Sequence, residues 1–185
     1  MLVTRHYRKL YAPRDYRHDS SFLKLSTEEA EIRLEQELEE ALPDIKPIDY
    51  RQSYLTNKID KAQYKHIEEK AISLLENRLG ISAERNVKLM PTGVAFDAVH
   101  QSYEKVVAIE VKILDHPYLP SSIYKILYDG ELADNFLPRF ELIIAIVCLF
   151  QKEQINDIES KFKRAIVRSL YPVRLEFIPL QELQN

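Results

Sequence analysis

Cysteine is almost absent from this sequence. A single Cys148 among 185 residues excludes an intramolecular disulfide and a cysteine-based zinc site. It also sets the expectation of a reducing, cytoplasmic setting. Glycine is nearly as scarce, with 3 residues against 9 prolines, which excludes collagenous and low-complexity classes. There is no Gly-rich phosphate loop and no nucleophile elbow. Long apolar runs are missing as well. The longest, Leu142 to Phe150, is 9 residues, whereas a bilayer needs about 20. The opening stretch MLVTRHYRKLYAPR holds no apolar core of signal-peptide length. The expectation is therefore a chain that neither enters a membrane nor is secreted. His6, His18, His66 and His116 show no ligand-like spacing.

What is present is a chain that can build a core. Hydrophobic residues make up 45% and charged ones 30%, and a chain of this length should bury roughly 70% of its unfolded surface. At about 100–200 residues per domain, one domain is expected, with an arm. The net charge of −3 conceals an asymmetry. Residues 1–25 carry a surplus of positive charge, and residues 26–50 carry nine acids against Arg33 and Lys46. Arg5, Arg8, Lys9, Arg14 and Arg17 alternate with Tyr7, Tyr11 and Tyr16, a mixture that can grip phosphates and stack on bases.

Periodicity places the elements. Ser26 and Glu29 form a capping box for a helix that Pro43 stops near Leu42. Its apolar stripe, Ala30, Leu34, Leu38 and Ala41, is narrow, and the remainder is mostly glutamate. This reads as a peripheral helix with a solvated face. A second helix opens at Asp60, with Gln63 completing its box, and closes at Gly80. Tyr64, Ile67, Ala71, Leu74 and Leu75 are its expected buried stripe. The period then changes to that of strands: 86–90, a turn at Pro91-Thr92-Gly93, 94–99, and 105–114. A helix over 121–134, weakened by Gly130, an apolar strand over 140–150, a helix over 155–170 and an edge strand over 173–178 follow. The order α-α-β-β-β-α-β-α-β implies a mixed β-sheet flanked by helices, an α/β fold.

Three charges fall on strand faces that are otherwise apolar. Alternation puts Asp97 beside Ala95 and Val99, and it puts Glu110 and Lys112 beside Val106 and Ala108. Buried charges are costly unless paired or bound to metal. A short turn joins the two strands, so they should pair antiparallel with Asp97 within a rung or two of Glu110. Two carboxylates and an ammonium would then converge, and such hard oxygen ligands suit Mg²⁺. On the second helix Glu68 lies on the buried flank with Tyr64, Ala71, Ile72 and Leu75, whereas Glu69 faces water. Of the two, Glu68 needs a partner.

The helix segment Ile67-Glu68-Glu69-Lys70-Ala71, the strand Phe96-Asp97-Ala98-Val99 and the strand Ala108-Ile109-Glu110-Val111-Lys112 occur in an order that resembles the PD-(D/E)xK nuclease superfamily, the restriction-endonuclease-like fold. The resemblance covers residues 60–178. It implies metal-dependent phosphodiester hydrolysis, with Asp97, Glu110 and the backbone carbonyl of Val111 as ligands of Mg²⁺, for which Mn²⁺ would substitute. Lys112 would orient the attacking water and steady developing negative charge. Glu68 would touch the metal's water shell. The following helix has Tyr124 where exonuclease-like branches place Gln, so the subfamily stays open.

The expectation is thus a basic arm plus acidic helix over 1–59 and a nuclease-like domain over 60–185. The expected activity is that of a DNA endonuclease working as a homodimer, because cutting both strands with one site per chain calls for two chains. The alternative is a non-catalytic nucleic-acid-binding or assembly protein on the same fold.

Overall fold

The computed structural model describes residues 21–41, 59–150 and 154–184. The basic cluster Arg5, Arg8, Lys9, Arg14 and Arg17 lies outside the described residues. Ten elements run in the order β1 (Ser21–Lys24), α1 (Thr27–Ala41), α2 (Lys61–Leu79), β2 (Glu84–Met90), β3 (Val94–Gln101), β4 (Val106–Leu114), α3 (Ser122–Phe136), β5 (Phe140–Cys148), α4 (Ile155–Ile166) and β6 (Val173–Pro179), followed by a 3₁₀ turn over Leu180–Leu183. The expected α/β architecture is present. The strands form one sheet in the order β1-β2-β3-β4-β5-β6. The first four pair antiparallel, and β4–β5 and β5–β6 pair parallel. Among the described residues, no helix is long and apolar enough to cross a membrane.

Local signals explain most element ends. Both capping boxes form: Ser26 N–H donates to Glu29 and Glu29 N–H to Ser26 Oγ, at 2.9 and 3.2 Å. Gln63 N–H donates to Asp60 at 2.8 Å, and Asp60 N–H to the Gln63 side chain at 3.1 Å. Gly80 closes α2 at φ 65°, a conformation that costs glycine little. Gly93, at φ 76°, turns β2 into β3. The helix expected to reach Leu170 stops at Ile166, and its end joins the turn that leads through Pro172 into β6.

The sheet is covered on both faces. On one face α3 and α4 contribute Ile123, Ile126, Ala133, Ile158 and Phe162 to a core with Phe96, Phe140 and Ile144. On the other, α2 places Tyr64, Ala71, Ile72 and Leu75 against Ile109, Val111 and Ile143. Every residue of the central strand β4 is buried, as expected of a strand with cover on both sides.

Two readings need correction. Helix α1 keeps the expected solvated face, with Glu28, Glu31, Glu35 and Glu39 exposed, but its inner face carries charge as well as the apolar stripe. Leu34 and Leu38 pack with the α2 layer, and Glu37 is only 7% exposed. Arg33 and Glu37 sit three and seven residues after Ala30, on the same helical face as the apolar stripe, so docking that stripe carries both charges inward. Strict alternation along β3 also fails. Phe96 and Val99, three residues apart, both join the α3–α4 face, and Ala98 joins the other. The change of phase falls at Asp97, opposite Asn86 at φ 52°. Ala95 and Val99 therefore do not share a side, contrary to the simple period of two.

Candidate functional site

The β3–β4 ladder ends at Ala98 opposite Ile109, one step before Asp97 and Glu110. Both carboxylates therefore stand where the two strands part, and both are buried, at 2% and 4% exposure. Lys112, on the same face of β4 as Glu110, is 7% exposed, as is Glu68 on α2. The four residues singled out from sequence are thus all buried polar groups, and three further side chains tie them together.

Arg33 is the first. Its Nη2 donates to Asp97 Oδ1 at 2.6 Å and to Glu110 Oε1 at 2.8 Å, and its Nε donates to Glu37 Oε1 at 3.2 Å. Glu37 is the second: the same oxygen lies 3.2 Å from Lys112 Nζ. Tyr64 is the third, and its hydroxyl donates to Glu37 Oε2 at 3.4 Å. One oxygen each of Glu37, Glu68 and Asp97 fall within 4.8 Å of one another. The second Asp97 oxygen accepts the Val111 N–H at 2.6 Å, which fixes the carboxylate against β4. Val111 itself is fully buried.

The charges follow from this packing. Four carboxylates face two cations, so the fully ionised cluster carries two surplus negative charges. Burial, and then the neighbouring Glu37, push the Glu68 carboxyl up to about 7. Burial likewise raises Asp97 and Glu110, against the pull of Arg33. For Glu37, burial would raise the carboxyl, but Lys112 and Arg33 outweigh it and hold it below the usual range. Lys112 stays protonated because Glu37, Glu110 and Asp97 overcome its own desolvation.

On its outer side the cluster opens into a cleft of about 440 Å³. Arg33, Glu110 and Lys112 stand at its base, with α1, the Thr92–Phe96 segment and α3 as walls. Lys125 and Asp129 of α3 line it as an ion pair at 3.2 Å. Oxygen donors converging on a cation, with a net negative surplus, fit a hard divalent ion such as Mg²⁺. Asp97 and Glu110 already share one cationic group, and Glu37, Glu68 and Asp97 each offer an oxygen at a spacing that could hold an ion, so Asp97 belongs to both sets.

Arg33 and Glu37 were not singled out from the sequence. Their signal was present: a base and an acid spaced i,i+4 on the apolar face of a capped helix. An acid-rich helix gives many such pairs, so the spacing alone did not distinguish this one. Glu69, expected to face water, is 40% exposed and pairs with Arg85 at 3.2 Å.

No family model matches this chain, and no curated protein matches it. Among solved structures, the crystal structure of protein VC1899 from Vibrio cholerae aligns with 97% of this chain at 14% identity and a TM-score of 0.38. This chain spans about half of that protein, 48% of its length. A likeness this distant assigns neither a fold family nor an activity.

Proposed function

We propose that this chain is a Mg²⁺-dependent nuclease that hydrolyses phosphodiester bonds in DNA. The observation that carries the reading is the burial of Asp97, Glu110, Lys112 and Glu68 in one cluster with surplus negative charge, from which Glu110 and Lys112 reach the cleft. Asp97 and Glu110 would hold the ion, with Val111 contributing its carbonyl. When bound, the ion supplies Lewis-acid polarisation of a phosphate and positive charge for the developing oxyanion. The side chains do the rest. Lys112, held protonated, stands beside Glu110 to orient a water and to balance charge as the phosphate is attacked. Glu68, with its carboxyl near neutrality, can take up a proton where an ordinary glutamate would not.

The proposed setting is the cytoplasm, and the proposed assembly is a homodimer. The basic residues Arg5, Arg8, Lys9, Arg14 and Arg17 are assigned to the DNA backbone. Deleting 5–17 should flatten the salt dependence of binding by roughly 0.9 log units per lost phosphate contact.

A second reading has its own observation. Arg33 and Glu37 engage the carboxylates and the lysine from within the chain, as they would in a binding or assembly protein that holds its charges permanently paired. Nicking of plasmid DNA with Mg²⁺ or Mn²⁺ and with EDTA separates the two. Cleavage that needs the ion and disappears in Asp97→Asn and Glu110→Gln supports the nuclease. Absence of cleavage together with absence of Mn²⁺ binding supports the alternative.

A further inference from the structure

We propose that α1 is a built-in plug for this site: Arg33 holds the place of the divalent cation between Asp97 and Glu110, Glu37 holds Lys112, and the site opens when α1 withdraws. This rests on reading Asp97 and Glu110 as cation ligands.

The geometry makes the two occupants exclusive. A single nitrogen, Nη2 of Arg33, bridges both carboxylates at 2.6 and 2.8 Å. An ion bound to the same two oxygens at roughly 2.0–2.1 Å would occupy the volume of that nitrogen. Glu37 closes the other half of the site. Its pairing with Lys112 at 3.2 Å sets a carboxylate against the ammonium that would otherwise face a phosphate.

The closed arrangement is also incomplete. Nη1 of Arg33 is buried and has no hydrogen-bond partner among the described residues, and an unmet buried donor works against the state that contains it. The attachment of α1 is correspondingly light. Outside the site it is fastened by Glu29–Lys88 at 2.5 Å and Glu35–Lys61 at 3.0 Å, both with exposed or half-exposed partners. Pairs of that kind are weak and screened by salt. Its apolar contribution is the partly buried Leu34 and Leu38. By contrast, α2 fully buries Tyr64, Ala71, Ile72 and Leu75. Of the two helices beside the site, α1 is the one that can leave while the core stays intact, and it forms one wall of the cleft it would widen.

The test measures Mn²⁺ binding to the full chain by titration calorimetry and follows α1 by amide hydrogen exchange. Arg33→Gln should bind Mn²⁺ about tenfold tighter than the parent, through loss of one charged competitor. Lys88→Ala combined with Lys61→Ala leaves the site residues and the Ser26–Glu29 cap in place and should tighten binding in the same direction, about threefold, by weakening the outer fastening. In the parent, Mn²⁺ should speed exchange across 27–41 and leave 61–79 unchanged. If Arg33→Gln does not fold, the double variant and the exchange pattern decide the matter. The plug is overturned, with the site reading intact, if the parent binds Mn²⁺ as tightly as the variants or if Mn²⁺ protects 27–41. If no variant binds Mn²⁺, the reading of Asp97 and Glu110 as ligands fails, and the plug fails with it.

Discussion

Glu68→Gln should stabilise this protein in a strongly pH-dependent way. The Glu68 carboxyl is pushed up to about 7 from an ordinary 4.5, first by burial and then by Glu37. The folded state therefore holds a proton that the unfolded state has released between those two values. The contribution of Glu68 to stability is greatest below about pH 4.5, is lost as pH rises through the window, and levels off above about 7. A shift of this size, at 1.36 kcal/mol per unit, corresponds to a penalty of about 3 kcal/mol at pH 8. The glutamine side chain that replaces Glu68 cannot ionise, and its amide can donate to the Glu37 carboxylate nearby. The variant should match the parent near pH 4.5 and exceed it by up to about 3 kcal/mol at pH 8. For a domain of this size that is a gain of about 6–12 °C in Tm. Circular dichroism melts from pH 4.5 to 8.5 in EDTA read it as the variant-minus-parent difference, to which Asp97 adds in the same direction because the Glu68 charge helps to raise it. A difference that is flat with pH, or a variant less stable than the parent at pH 8, would refute the assignment of Glu68 as a buried, proton-holding group.

Other outcomes follow from the same structure. Asp97→Asn and Glu110→Gln should each abolish Mn²⁺-dependent stabilisation as well as cleavage, whereas Lys112→Ala should retain ion binding and lose turnover; melting curves with and without Mn²⁺ alongside plasmid nicking separate the two patterns. Gly130→Ala, which in an exposed helix would stabilise by about 1 kcal/mol, should instead destabilise by about 1–3 kcal/mol in urea unfolding, because the new methyl would fall on the Tyr171 ring and hydroxyl. Tyr171→Phe should cost about 1 kcal/mol by the same measurement, through loss of the 2.8 Å hydrogen bond to the Leu127 carbonyl. Cys148, buried with its thiol pushed up to about 12 by desolvation, should resist thiol reagents until the chain unfolds; rapid labelling of the native protein would contradict its burial.

Much of this molecule follows from local rules. Asp60 with Gln63, and Ser26 with Glu29, announce the starts of their helices because capping involves only neighbouring residues. The apolar run after Phe140 becomes a doubly covered strand because nothing else can hide it. Asp97, Glu110 and Lys112 stand out because charge on an apolar strand demands a partner, and Glu68 stands out by its helical flank. Three things were decided by tertiary structure. Gly130, locally a weak point in a helix, is required by Tyr171 from a segment far along the chain. The phase of β3 changes at Asp97 through its pairing with β2 near the left-handed Asn86, which no period of two contains. Arg33 and Glu37 are ordinary members of an acid-rich helix until α1 docks beside β4, 77 residues on from Arg33 at Glu110. Periodicity reports which face of a helix is buried. Which charges that face meets depends on what lies across the interface, and that is settled when the chain closes on itself.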